Sequence, residues 1–194
     1  MSTLPSVNQV TLLGMIKKVE HRPNAKFSWI FQLDIPSSYH DRNQEASLTC
    51  GASGNFYGKA IQDATIGTDW VLVNGKIRKD GFIQVRELCV IGEVKGEHHP
   101  IHHVGVTGKI TSIRKYPNTI YEWQFDVVVY PEYGKEDDSE VEAILTCGVA
   151  GDGYCTAMIE AAIEGQWATI QGKVRNKGFI QVRSMCVYDI AERG

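Results

Sequence analysis

Hydrophobic and polar residues alternate along most of this chain. In Phe27-Ser28-Trp29-Ile30-Phe31-Gln32-Leu33-Asp34-Ile35 every odd position is apolar, the mark of a strand with one buried face. Tyr121-Glu122-Trp123-Gln124-Phe125-Asp126-Val127 has the same alternation. Val10 to Ile16 reads as an earlier strand with Gly14 inside it, and a glycine there marks a bulge or sharp bend such as small barrels need at their corners. A third strand is expected over Ala46 to Cys50 and again over Glu142 to Cys147. Helical patterning is confined to Gly58 to Ile66 and Thr156 to Ile163, and strands over Trp70 to Arg78 and Phe82 to Val90 follow the first of these. Three strands, a helix and two more strands describe a five-stranded OB-fold barrel.

The pattern occurs twice. Gly81-Phe82-Ile83-Gln84-Val85-Arg86 returns letter for letter as Gly178-Phe179-Ile180-Gln181-Val182-Arg183, 97 positions later in a chain of 194 residues. Leu48-Thr49-Cys50-Gly51, Trp70 and Gly75-Lys76 match Leu145-Thr146-Cys147-Gly148, Trp167 and Gly172-Lys173 at the same spacing. Earlier in the chain Gly14, Pro23-Asn24 and Trp29 match Gly108, Pro117-Asn118 and Trp123 at a spacing of 94, so one insertion of 3 residues separates the two registers. Such a period suits a whole small domain rather than a solenoid repeat. The expected organisation is all-β with one short helix per module: two tandem five-stranded OB-fold barrels, residues 1–96 and 104–194, joined by a His-rich linker at 97–103.

The last hairpin of each module can be read residue by residue. A three-residue loop, Lys79-Asp80-Gly81, with glycine at the position that needs positive φ, pairs Arg78 with Phe82, Ile77 with Ile83, Lys76 with Gln84, Gly75 with Val85 and Asn74 with Arg86. One face then carries Ile77, Ile83 and Val85. The other carries Asn74, Lys76, Arg78, Phe82, Gln84 and Arg86. The second module gives Ile180 and Val182 on one side, with Lys173, Arg175, Phe179, Gln181 and Arg183 on the other.

Composition bounds the class. At 43% hydrophobic and 22% charged residues, the chain is that of folded domains rather than of a disordered polymer. No apolar run approaches the ~20 residues that span a bilayer, and the N-terminal residues lack the regions of a signal peptide, so no membrane partner is expected. The five cysteines, with no CxxC among them, argue for a reducing, cytoplasmic setting. Cys50, Cys89, Cys147 and Cys186 fall at matched strand positions and read as small buried hydrophobes, while Cys155 has no assigned role. The net charge of −3 is unlike most nucleic-acid binders, yet its distribution is uneven. Acidic residues gather at Glu132, Glu136, Asp137, Asp138, Glu140 and Glu142, and basic ones at Lys17, Lys18, Arg22 and Lys26 and along the hairpins.

An aromatic ring among cations on an open sheet face suits a single-stranded nucleic acid, whose bases stack while its phosphates are neutralised. Phe82 and Phe179 are the expected stacking residues. Lys76, Arg78, Lys79 and Arg86, with Lys173, Arg175, Lys177 and Arg183, are the expected phosphate contacts. The competing reading is a solvated hairpin whose phenylalanine packs on an arginine stem. Trp29 and Trp123 alternate with Phe31 and Phe125 and belong in the core. Trp70 and Trp167 fall in phase with the cations, where they either stack bases or cover the helix or a subunit interface. Tyr116, beside Lys115, is a further stacking candidate whose counterpart Arg22 is cationic. The histidines between His98 and His103 lack a fixed ligand spacing and read as linker, so no metal and no cofactor is expected. Phosphate-binding glycine loops, nucleophile elbows and zinc-hydrolase motifs are absent from the sequence, and no catalysis is expected.

Taken together, these residues resemble the bacterial single-stranded DNA-binding protein family and its relative, primosomal replication protein N. Val7-Asn8-Gln9-Val10-Thr11-Leu12-Leu13-Gly14-Met15-Ile16 looks like that family's opening strand. Gly58-Lys59-Ala60-Ile61 with Gly67-Thr68-Asp69-Trp70-Val71-Leu72-Val73-Asn74-Gly75-Lys76-Ile77-Arg78 is similar to its helix and fourth strand. The resemblance covers most of the chain twice. It implies sequence-nonspecific binding of single-stranded DNA in replication, repair or recombination, with replication or recombination proteins as possible partners and a homodimer supplying four barrels. Two departures stand out. Ala46, Ser47, Glu142 and Ala143 occupy the places of the family's usual third-strand aromatics, which shifts stacking towards the hairpin. The chain also ends soon after its last strand, so recruitment by a long acidic tail is not expected. The alternatives are a non-catalytic scaffold that binds proteins, which the mild acidity favours, and a single-stranded RNA binder.

Overall fold

The computed structural model describes residues 7–36, 46–93, 101–131, 141–151 and 153–188. The acidic residues Glu132, Glu136, Asp137, Asp138 and Glu140, the histidines His98 and His99, and the closing residues from Asp189 onward lie outside them. The chain forms two compact units, one built on Gln9–His103 with Arg175–Gly178, the other on Val104–Val174 and the strand that begins after Phe179.

In the first module the elements are β1 (Asn8–His21), β2 (Trp29–Ile35), β3 (Ala46–Ala52), α1 (Asn55–Asp63), β4 (Trp70–Ile77) and β5 (Ile83–Gly92). Pairing runs β1–β2, β2–β3, β3–β5, β5–β4 and β4–β1, so the ladder returns to its starting strand. Of these pairings only β3–β5 is parallel, and α1 with β4 supplies the long crossover that a parallel pair needs. Within its module strand β1 serves two neighbours in turn. Val10 to Met15 pair with β4 and Met15 to His21 with β2, with a register shift between Ile16 and Lys18. Gly14 pairs regularly with Val71, and a Cβ there would collide with the Asp34 carbonyl, so the glycine serves a close approach of backbone, while the irregularity of β1 falls further on, between Ile16 and Lys18. The period-two pattern resolves into a core of Leu12, Ile16, Phe31, Leu33, Ile35, Leu48, Ile77 and Ile83, each at most 1% exposed. Burying such side chains supplies roughly 1.5–3 kcal/mol apiece.

The second module repeats the order with β6 (His102–Lys115), β7 (Trp123–Val129), β8 (Ala143–Val149), α2 (Tyr154–Ala161), β9 (Trp167–Val174) and β10 (Ile180–Tyr188). Its ladder closes in the same way, through β6–β7, β7–β8, parallel β8–β10, β10–β9 and β9–β6. His102 opens β6 and is buried, inside the stretch expected to be linker. Both helices begin two or three residues earlier than the pattern suggests. Gly54 and Gly153 stand at their N-caps with no side-chain hydrogen bond, so no capping residue marks the start in the sequence. Neither is long and apolar enough to cross a membrane.

The hairpin register holds from Arg78 to Gly75 and then departs from expectation. Gly75 pairs with Val85, but Asn74 pairs with Glu87, which leaves Arg86 as a bulge. In the second module Gly172 pairs with Val182 and Gln171 with Ser184, leaving Arg183 unpaired. Both bulges need the glycine opposite, because a Cβ at Gly75 or Gly172 would collide with the carbonyl of Gln84 or Gln181. The extra residue reverses the inside-outside phase of the strand beyond it. Arg86 and Glu87 are both exposed, as are Arg183 and Ser184. This overturns one expectation: Cys89 and Cys186 lie past the bulge and are exposed, whereas Cys50 and Cys147 are buried. Burial pushes the Cys50 and Cys147 thiols well above their ordinary pKa, with the Asp126 carboxylate adding to the effect at Cys147.

Each helix is tied to its bulge. The Tyr57 hydroxyl donates to the carbonyl oxygen of Arg86, and the Cys155 thiol donates to that of Arg183 at 3.7 Å. A bulge leaves its extra residue out of the ladder, and these two side chains satisfy the carbonyl so released. Cys155 thereby acquires a structural place.

Candidate functional site

Phe82 and Phe179 follow the hairpin tips directly, and both are half-buried. Each lies over a glycine of the neighbouring parallel strand, Gly51 or Gly148, where a Cβ would collide with the ring. Each also meets a second ring. Phe27 lies 5.0 Å from Phe82 at 47°, and Tyr121 lies 4.9 Å from Phe179 at 54°. These separations and tilts fall in the range aromatic pairs prefer. The product, built twice, is a half-exposed aromatic pair seated on bare backbone.

Phe27 and Tyr121 were not singled out by the alternation. They are in phase with the core residues that follow, but β2 and β7 begin two residues later, at Trp29 and Trp123. Both aromatics therefore belong to the preceding turn, where strand periodicity no longer decides which way a side chain points. The repeated glycine after each buried cysteine was the available signal. A strand residue without a side chain leaves room that a neighbouring ring fills.

The cations separate into three groups. Lys79 and Lys177 are exposed at the hairpin tips. The tips are tight turns in which Asp80 (φ 60°) and Lys177 (φ 58°) precede glycines at φ 74°, and the Arg78 N–H closes the first on the Phe82 carbonyl at 2.7 Å. A left-handed non-glycine residue at both tips is a local cost that the surrounding hairpin holds in place. Arg78 and Arg175 are half-buried. Arg78 directs its Nε to Gln84 Oε1 at 2.8 Å, with Nη2 on the same oxygen, which lays the guanidinium along the sheet. Arg86 and Arg183 are exposed at the bulges, away from the tips along the strand.

Two expected site residues are placed differently. Lys76, near the end of β4 opposite Gln84, is only 6% exposed; its counterpart Lys173 is half-buried. Trp70 is likewise 6% exposed and offers no open ring. Trp167 is half-buried, 5.9 Å from Tyr130. Tyr116 is 41% exposed in the β6–β7 turn. Lys26, in the β1–β2 turn, has its Nζ 5.9 Å from the Phe27 ring and brings a cation to the first aromatic pair.

Comparison with known proteins gives a fold. No protein-family model matches the chain, and no curated protein does. Among solved structures, the crystal structure of the wild-type single-stranded DNA binding protein from Thermus aquaticus is similar, with a TM-score of 0.70 at 12% sequence identity, covering 98% of this chain and 97% of that one. A deletion mutant of the same protein gives a TM-score of 0.66 at 12% identity, covering 98% and 99%. Likeness at this identity establishes the OB-fold architecture.

Proposed function

We propose that this chain binds single-stranded DNA without strong sequence preference and works by coating strands, without catalysis, in replication, repair or recombination. The observation that carries the reading is the twice-built aromatic pair, Phe27–Phe82 over Gly51 and Tyr121–Phe179 over Gly148, with exposed Lys79 and Lys177 next to it in sequence. Every base has a flat face, so a ring that is half open to solvent accepts any of them, at ~1–3 kcal/mol per base. A duplex hides those faces and is discriminated against. Lys79, Arg86, Lys177 and Arg183 supply the counter-charges, which makes affinity depend steeply on salt. The net charge of −3 does not oppose this, because local rather than summed charge meets the strand. A cytoplasmic homodimer presenting four barrels to one strand, with replication or recombination proteins as partners, completes the proposal.

Fluorescence anisotropy with labelled poly-dT, duplex DNA and poly-U tests it. Poly-dT binding is expected to be tight and salt-sensitive, and to weaken roughly tenfold or more when Phe27 and Phe82, or Tyr121 and Phe179, are replaced by alanine. Preference for poly-U would move the reading to RNA. Failure to bind any of the three at low salt would end it.

A further inference from the structure

The β1–β2 turn and the β6–β7 turn correspond residue by residue at a spacing of 94. Their backbones close alike, through the Arg22 N–H to the Ser28 carbonyl at 2.7 Å and the Tyr116 N–H to the Glu122 carbonyl at 2.6 Å. Each leads into the ring that completes an aromatic pair, Phe27 or Tyr121. Their chemistry differs. The first turn carries Arg22 and Lys26, and the second carries Tyr116 and Ile120 at the same places. Arg22 is forked onto Glu20 at 2.7 and 2.9 Å, while exposed Lys26 has its Nζ 5.9 Å from the Phe27 ring. Ile120 is 73% exposed and Tyr116 is 41% exposed. The turn that presents them is pinned by the Thr119 hydroxyl, which lies 2.9 Å from the carbonyls of both Tyr116 and Tyr121. Single exposed apolar residues are ordinary, but here two on a pinned turn continue directly into a half-exposed aromatic pair.

We infer that the two modules grip a strand by different means: the first through the phosphates, by Lys26 beside the Phe27–Phe82 pair, and the second through the bases, by Tyr116 and Ile120 beside the Tyr121–Phe179 pair. This rests on the single-stranded DNA reading above. Its physical content is that part of the affinity comes from counterion release and falls with salt, while part comes from apolar and stacking contact and does not.

The test measures poly-dT affinity against salt for the full chain and three variants. Lys26→Ala flattens the log–log salt dependence by ~0.7, the value of one phosphate contact on a single strand. Tyr116→Ala with Ile120→Ala weakens binding roughly tenfold at every salt concentration and leaves the slope unchanged. Tyr116→Arg with Ile120→Lys, which gives the second turn the chemistry of the first, steepens the slope. Unchanged thermal unfolding accompanies all three, since the positions are exposed. A double-alanine variant that binds within about twofold of the parent, or that changes the slope as much as Lys26→Ala does, overturns the inference while the parent's binding keeps the function. A parent that does not bind overturns both.

Discussion

Trp29 and Trp123 open the same strand in the two modules and live in different surroundings. Trp29 is 5% exposed and stacks on His21 at 4.1 Å and 19°. Helix α1 lies directly on it at Gly58, where a Cβ would fall 2.5 Å from the indole nitrogen. That closeness leaves the indole N–H with no hydrogen-bond partner among the described residues. Trp123 is half-buried. Its N–H donates to Glu160 at 3.3 Å, and the Lys115 ammonium lies 4.9 Å from its ring and 3.3 and 3.8 Å from Glu122 and Glu160. Helix α2, Tyr154–Ala161, contains no glycine. A glycine lets α1 close on a dry indole, whereas the Trp123 indole turns to a polar network with Glu160 and Lys115. One barrel design therefore tolerates either solution. Burying a tryptophan at about 25 cal/mol per Å2 outweighs the ~1–3 kcal/mol cost of one unpaired N–H.

The largest way to break this comparison is to remove the rings. Trp29→Ala is expected to cost about 3–5 kcal/mol, the range for a large buried aromatic. Trp123→Ala should cost less than half as much, because its ring is partly solvated and its ion-pair network survives in water at ~0–1 kcal/mol. Urea denaturation followed by circular dichroism measures both. Equal losses would mean that the indole environments differ in geometry without differing in energy.

A smaller perturbation sharpens the same point from the helix side. Gly58→Ala drives a methyl against the Trp29 indole and is expected to cost about 1–3 kcal/mol, with a red shift in tryptophan emission as the ring is displaced. A silent Gly58→Ala would show that α1 can slide along the barrel.

Much of this was legible in the sequence, and the rest was hidden for identifiable reasons. Alternation located β2 and β7 to within two residues of their starts, because it follows from steric rules that act within a few residues. The hairpin register was readable as far as Val85, since a three-residue loop with a terminal glycine fixes it from the tip outward. The bulge at Arg86 was not, because arginine carries no mark of a bulge and the demand falls on Gly75 across the ladder. The misplacement of Cys89 and Cys186 follows from that one unread residue. At the site, Phe82 and Phe179 were readable from their place beside the tip. Phe27 and Tyr121 were not, because alternation continued through them although the strands had not yet begun. Their partner role depends on Gly51 and Gly148, a contact between strands that no local pattern encodes.

The smallest prediction concerns the ties between helix and bulge, where the modules again use different chemistry for one task. In the first module a phenolic hydroxyl meets the Arg86 carbonyl, and in the second a thiol meets that of Arg183. A hydroxyl is a full donor, and its hydrogen bond is worth about 0.5–1.5 kcal/mol net, whereas a thiol donates weakly. Tyr57→Phe keeps the ring and removes only the donor, so it should cost ~1 kcal/mol. Cys155→Ser replaces a weak donor by a stronger one on a shorter bond, so the gain in strength and the loss of reach oppose each other, and the change should stay within ~0.5 kcal/mol. Comparing the two by urea midpoint decides whether the bulge carbonyl needs a donor at all. If Tyr57→Phe is neutral, water satisfies the carbonyl, and the helix is held by packing of the ring rather than by its hydroxyl.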